Sequence, residues 1–472
     1  MLFFKEKKRK INLYLPIEGK ARELAPKVYL AFKAVKKNFR VHIGNQESIN
    51  RVVESKTTFG GVYFFKGGLD LNAVIKIKKK CSHFVILDEE IGPGDENPKE
   101  TMLYRIDRSI ENKIDRYYVL GRKTYLIAKK IFIKLKKKIV LSGWPRIDYF
   151  IASSKIKNNN DVNKLVKNHG KFILFISDYG QTSMRMVNFT KSQYQEKLDL
   201  SKKFELKKFK KINKSNLKTL KEFKTFISAL KILDKDSSMP QIIVRPHPLE
   251  DHLPWERIKK SFKNIKVIFE GDIEQWIQAS KGVIHKGCSS SIQVYYAQKP
   301  QGYLLLEKDG QKKTLVFKIS HHLKSLKDVR EFCIKCVKTP QEFKKKNFSK
   351  QMDEIIHKPK KTSSDIIIND ILHLKPIKET FPIISLNIKI KNYVRNLISN
   401  FNIYRFIISK IFLNIIGKYY ISADNRLVSQ HQKIPFGIKK NDVLKVLKNL
   451  NLEINDIKIE SILKNLVILE KK

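Results

Sequence analysis

The stretch Val283–Pro300, VIHKGCSSSIQVYYAQKP, decides how the chain is read. An apolar run, GVIH, passes through Lys286 and Gly287, and Ser289, Ser290 and Ser291 then open the periodic segment IQVYYA. Serine just ahead of an apolar-periodic run is helix N-cap chemistry. A strand that feeds a helix in this way belongs to an α/β domain. The first turn of such a helix leaves N–H groups unpaired at the positive end of its dipole, which suits a phosphate. The same residues also suit an ordinary capped helix.

The pattern extends in both directions. Upstream, INLYLP, FRVHIG, GGVYFF, HFVILDEE, RYYVLG and KKIVL are short apolar strands, with helical segments such as ARELAPKVYLAFKAVKKN and QESINRVVES between them. Short strands spaced by helices predict a parallel, doubly wound sheet. A polar, Asn-rich break at 153–164 predicts a domain boundary. The alternation then restarts with KFILFISDYG, QIIVRPHP, IKVIFE, GVIH and PQGYLLLE. The chain is therefore expected to be an α/β protein of two tandem Rossmann-like domains, 1–165 and 166–375. A basic, helical extension, 376–472, follows. SSDIIINDILHL is assigned to a helix closing the second domain.

A hydrophobic content of 42% is that of a folded protein. The formal charge of +50 suggests nucleic acid, but only 16 of the 96 basic residues are arginine. Arginine is the residue of bidentate phosphate and base recognition, so a specific nucleic-acid binder is disfavoured. The lysine excess still favours anionic surfaces, lipid headgroups included. Four cysteines make no disulfide framework, and the Cys333/Cys336 pair lacks the partners of a zinc site. The N-terminus has no secretory core and the chain has no long apolar run, which predicts a cytoplasmic protein.

Two strand ends in the second half carry candidate chemistry. Pro246 and Pro248 stop the strand IIVR and hold Arg245 and His247 at its carboxyl end, where α/β proteins bind ligands. A guanidinium clamps a diphosphate and an imidazole donates to one of its oxygens. Together with the serines after GVIH, these residues form a candidate phosphate cradle.

The tandem halves, RPHP and HKGCSSSIQVYYAQKP resemble the GT-B class of nucleotide-sugar glycosyltransferases, and more closely the bacterial surface-carbohydrate (capsule and lipopolysaccharide) biosynthesis proteins. PIEGKARELAPKVYLA, VHIGNQESI, GGVYFFKGG, ILDEEIG, YYVLG and LSGWPRIDYF fall in the order of that family. The resemblance covers about residues 10–375, and weakly QKIPFGIKKNDVLKVL. It implies transfer of a sugar from a nucleotide-sugar donor to a glycan or lipid-linked acceptor, without a bound metal or other cofactor. Arg245, His247, His285, Ser289, Ser290 and Ser291 would surround the donor, with Asp178 and Tyr179 on the first loop of that domain. Related transferases often carry Glu where Gln293 stands, holding the ribose, and Gly where Gln298 stands. Glu18 is the favoured base, Arg22 would position an acidic acceptor, and Asp88, Glu89 and Glu90 are the rival carboxylates. Gly143, Pro145 and Arg146 are assigned to shaping the last strand of the first domain. Two other classes remain open: a non-hydrolysing nucleotide-sugar epimerase, and a degenerate, basic membrane- or nucleic-acid-binding protein.

Residues 391–420 carry an apolar stripe (Ile403, Phe406, Ile407, Ile411, Ile415) with Arg405, Lys410 and Lys418 among it. That pattern suits either a helix lying on the inner face of the cytoplasmic membrane or one packed on the core.

Overall fold

The computed structural model describes residues 9–92, 95, 97–156, 159–179, 203–248, 250, 252–306, 314–343, 347–380, 390, 393–394, 434, 437–463 and 465–472. In chain order its strands are β1 Ile11–Ile17, β2 Phe39–Asn45, β3 Val62–Phe65, β4 His83–Leu87, β5 Arg116–Val119, β6 Ile139–Leu141 and β7 Phe172–Ile176. They continue as β8 Gln241–Arg245, β9 Lys266–Val267, β10 Gly282–His285, β11 Gln301–Leu304, β12 His321–Leu323, β13 Ile457–Leu463 and β14 Leu466–Lys471. The chain divides into two compact units, Met1–Ile156 with Ser349–Lys472, and Lys157–Phe348.

The first unit holds a sheet of order β13-β14-β2-β1-β3-β4-β5-β6. From β2 to β6 every pairing is parallel. All seven residues of β1 are buried, which is why the strand is apolar but for Asn12, whose Oδ1 meets His42 Nε2 at 3.0 Å. The direction of winding reverses between β1 and β3. The gap beyond their carboxyl ends is thus the topological switch point of this sheet.

The second unit is a wholly parallel sheet of order β12-β11-β10-β7-β8-β9. Numbered from β7, this is the 3-2-1-4-5-6 order of the Rossmann fold, and its switch point lies between β7 and β10. Its core packs Phe175, Tyr179, Phe226, Leu230 and Trp255 between sheet and helix. The two expected Rossmann-like halves are therefore present.

The boundaries differ from those read in the sequence. Residues 160–169 form a helix capped by the Asn159 side chain, which accepts from the N–H groups of Asp161 and Val162. That helix packs against Ile273–Ala279, so the Asn-rich stretch already belongs to the second unit. Residues 349–375 lie on the first unit, not the second. Helix Ser363–His373 rests on helices Lys20–Lys36 and Pro145–Ser154. Asp370 of that helix accepts from Arg116 Nε at 2.8 Å and from the Tyr118 hydroxyl at 2.9 Å. Gly121 and Gly143, which follow β5 and β6, admit the incoming chain: a Cβ at Gly143 would lie 2.5 Å from the His357 carbonyl oxygen, and one at Gly121 2.3 Å from that of Ile355.

The C-terminal region is not helical alone. A helix, Lys440–Asn449, is followed by the hairpin β13–β14. β14 adds antiparallel to β2, pairing Leu466 with Gly44 through Glu470 with Arg40. An ion pair also ties the tail to this unit. Glu379 and Lys56 are almost fully buried, with Nζ 2.8 Å from Oε1. The hydroxyls of Tyr14 and Thr58 donate to the same carboxylate. Segment 391–420, with its apolar stripe, lies almost wholly outside the described residues. Among the described residues no helix is long and apolar enough to cross a membrane.

Candidate functional site

In the first unit, charged groups gather beyond the carboxyl ends of β1, β3 and β4. β1 delivers Glu18, the following helix Arg22 and Glu23, β3 Lys66, and β4 the run Asp88–Glu90. Lys66 Nζ is the hub: it lies 3.0 Å from Glu18 Oε2, 2.9 Å from Glu23 Oε1 and 3.4 Å from Glu90 Oε1. Burial would lower the Lys66 pKa, but the carboxylates of Glu23 and Glu18 outweigh it and raise it. Glu23 is buried at the first turn of its helix, accepting the Glu18 backbone N–H and paired with Lys27 as well as Lys66. Burial opposes its ionisation, yet Lys27 and Lys66 hold it well below the usual carboxylate range.

The candidate bases separate by what each carboxylate touches. Asp88 accepts from Arg105 Nε at 2.7 Å and from the Glu90 backbone N–H at 3.0 Å, and burial raises its pKa. Glu89 accepts from the Trp144 indole N–H at 3.0 Å and lies 3.9 Å from Arg146, whose guanidinium stacks over the Trp144 ring. Glu90 is bound by Arg22 and Lys66. Side-chain exposure is 1% for Asp88 and 8% for Glu89, against 34% for Glu90 and 35% for Glu18. Asp88 and Glu89 are thus structural anchors of the β4 loop, and Glu18 keeps an open face. The structure brings Glu18, Arg22 and the Asp88–Glu90 run together, and joins to them Glu23, Lys66, Arg105 and Trp144, which the sequence does not single out. Lys66 carried a usable signal, a lone cation directly after the apolar strand VYFF. Glu23 did not, since an acid in a first helical turn reads as dipole compensation.

In the second unit the candidates lie beyond the carboxyl ends of β7, β8 and β10. Arg245 corrects the expected phosphate clamp. Its guanidinium is buried, donates to the carbonyls of Glu270 and Gly271, and packs on the rings of Phe269 and Trp276. Burial lowers its pKa to about 10. The fork is used to hold the turn after β9. His247 is half-buried, and its carbonyl accepts the Glu250 N–H.

Three more expectations change for the same reason, commitment to internal partners. Gln293 is buried and donates to Glu274 Oε1 at 2.7 Å, which removes it as a ribose ligand. Tyr179 packs against Phe223 and Phe226, with ring centroids 5.4 and 5.3 Å away, so it belongs to the core. His285 is buried: Nδ1 accepts the Gly287 N–H, which leaves the proton on Nε2, facing Gln301 and Ser320. Burial lowers its pKa to about 4, so the ring is neutral and structural.

Asp178 and the serines remain at the edge. Asp178 and Ser289 are half-buried beyond β7 and β10, on either side of the switch point. Ser290 precedes helix Ser291–Tyr296, and the Ser291 hydroxyl is buried with no hydrogen-bond partner among the described residues. Glu250, which the sequence did not single out, ties this edge together. It accepts from the Tyr179 N–H and the Trp255 indole N–H, both at 2.7 Å, and from the Ser177 hydroxyl. Burial pushes its pKa up to about 7. Among the described residues no cluster of His, Cys, Asp or Glu has metal-ligand geometry.

No family model matches the chain, and no curated protein matches its sequence. Among solved structures it is similar to the UDP-GlcNAc 2-epimerase of Neisseria meningitidis bound to UDP-GlcNAc, with 13% identity and a TM-score of 0.48 over 77% of this chain and 100% of that one. It is also similar to S. aureus MnaA bound to UDP, at 11% identity and a TM-score of 0.44 over 80% and 100%. A third such structure is the wall teichoic acid polymerase TagF, at 10% identity and a TM-score of 0.42 over 78% and 90%.

Proposed function

We propose that the protein is a metal-independent glycosyltransferase of bacterial surface polysaccharide assembly, taking a sugar from a nucleotide-sugar to a glycan or lipid-linked acceptor. The observation that carries this reading is Glu18. Glu18 and Glu90 are the accessible carboxylates of the first switch point, and of the two Glu18 is held by a single cation, Lys66, whereas Glu90 is engaged by both Arg22 and Lys66. A base for an acceptor hydroxyl needs that combination of access and fixed position. Arg22, already paired with Glu90, lies beside Glu18 and in this reading positions an acceptor bearing a negative group.

On the donor side, the support is the Rossmann order of the second sheet and the segment Lys286–Ser291 at its switch point. Ser289–Ser291 take the donor phosphates in this reading, and Asp178 faces them from the β7 loop. Arg245 and Gln293 act only by shaping the surrounding turns. Departure of the nucleoside phosphate would be assisted by the serine hydroxyls of that segment.

The test is a thermal-shift screen against CMP-, UDP-, GDP- and CDP-linked sugars, since a ligand of the folded state raises the melting temperature. Turnover with candidate acceptors follows. Glu18→Gln is expected to leave nucleotide-sugar binding intact and lower turnover by about 10²–10⁴. Retained turnover in Glu18→Gln, or its loss in Glu89→Gln with the fold intact, overturns the assignment of the base. Conversion of a nucleotide-sugar without any acceptor would make the protein an epimerase.

A further inference from the structure

The first unit carries another feature that the two strand-end clusters do not use. Arg122–Lys138, RKTYLIAKKIFIKLKKK, contains eight basic residues and no acidic one. Its helix, Arg122–Ile131, buries Thr124 and Ala128, and the turn after it buries Phe132 and Leu135 in the core. The buried side therefore fixes which side faces out. Lys123, Leu126 and Lys130 recur at helical spacing on the outer face, and Ile133, Lys134, Lys136 and Lys137 continue it.

Large apolar groups stand among these cations. Leu126 is 65% exposed, Ile133 78%, and Tyr104, at the end of the helix packed alongside, 91%. Lone exposed apolar residues are ordinary, but three beside five exposed lysines form a combined surface. Arg122 is engaged by Asp353, and Lys129 lies over the Tyr125 ring, so the five lysines exclude both.

We propose that this surface docks on an anionic phospholipid bilayer. Leu126, Ile133 and Tyr104 enter the headgroup boundary, and the lysines face the phosphates around them. Charge complementarity and aliphatic tips together favour lipid over nucleic acid. Leu and Ile gain nothing on a phosphate backbone, whereas at an interface they leave water, and Tyr suits the headgroup level. The inference is independent of the chemistry proposed for the strand-end clusters.

Flotation of the full-length protein with phosphatidylcholine vesicles, with and without phosphatidylglycerol, tests it. Wild type is expected to float only with phosphatidylglycerol, and less as salt rises. Lys130→Gln/Lys134→Gln/Lys137→Gln should lower partitioning about 100-fold, since each basic residue at an anionic surface is worth about fivefold. Leu126→Ser/Ile133→Ser should lower it about ten- to 100-fold with the lysines intact. All five positions are exposed, and unchanged melting temperatures verify folding. Flotation of either variant as well as wild type, or equal wild-type flotation without phosphatidylglycerol, overturns the proposal. So does displacement of wild type from vesicles by duplex DNA when the Leu126→Ser/Ile133→Ser variant still floats, which would make this a nucleic-acid surface.

Discussion

Glu250 supplies a sharp test of the second unit. Its carboxyl is buried at the carboxyl edge of the sheet, where Ser177, Tyr179 and Trp255 donate to it. Burial outweighs these donors and lifts the pKa from 4.5 to about 7. The folded protein therefore holds a proton that the unfolded chain has already lost across that interval. The resulting stabilisation is fully present below the unfolded value and is lost as pH rises through about 7. The gap corresponds to about 3 kcal/mol, a substantial part of the stability of one domain. Glu23 in the first unit acts in the opposite sense. Its depressed pKa contributes stability above the ordinary Glu value, lost as the solution is acidified. The two units should thus respond oppositely to acid. The Trp255 indole N–H, 2.7 Å from Glu250 Oε2, is the reporter. Its 15N-resolved resonance should titrate with a midpoint near 7, and the unfolding temperature of this unit should fall over the same interval. An indole signal that is flat from about pH 5 to about pH 9, or one that titrates with a midpoint near ordinary Glu values, would refute the argument.

Three further outcomes follow from buried polar groups and backbone strain. Arg245→Ala should cost about 2–3 kcal/mol of stability by stranding the Glu270 and Gly271 carbonyls, with nucleotide-sugar affinity close to wild type; lost affinity at full stability would restore a phosphate clamp. Gln298 sits at φ +54, in the left-handed region, so Gln298→Gly should stabilise by about 0.5–1 kcal/mol in urea unfolding, and a loss would mean that its side-chain contacts outweigh the strain. Lys56→Met should cost about 3–5 kcal/mol by leaving Glu379 buried without its cation, and Lys56→Met/Glu379→Leu should recover most of that; a double variant no more stable than the single one would contradict it.

Much of the fold was legible because its central strands are buried on both faces. INLYLPI and FILFI read as strands without any knowledge of their neighbours, and the helices between them made the sheets parallel. What escaped depended on pairing between distant segments. β12 is only HHL, with two exposed histidines and no apolar pattern of its own. β13 alternates and β14 is a short apolar run, but the hairpin's role comes from β2, more than four hundred residues earlier. Helix Ser363–His373 was recognised as a helix and placed on the wrong unit. Its docking depends on Asp370 meeting Arg116 and Tyr118, and on the bare backbones of Gly121 and Gly143. Neither is a property of the helix sequence.

The candidate sites show the same limit at the scale of single side chains. Strand ends located the right regions, because a parallel sheet brings its carboxyl ends to one edge. They did not tell which way a side chain turns there. Arg245 ends a buried strand and Glu18 directly follows one, and nothing in the flanking residues separates them. The difference lies in what each meets. The long guanidinium of Arg245 finds two carbonyls and two rings within the protein, so its hydrogen-bonding capacity is directed inward. Glu18 meets one cation, Lys66, which is shared with Glu23 and Glu90, and one side of its carboxylate stays open. Gln293 and Asp88 follow Arg245: each is long or central enough to be captured by a neighbour, Glu274 or Arg105. A polar residue at a strand end is therefore a candidate for chemistry only when its internal partners leave part of it unused. By that criterion Glu18 in the first unit, and Asp178 with Ser289–Ser291 in the second, are the positions at which substitution should change reaction before it changes stability.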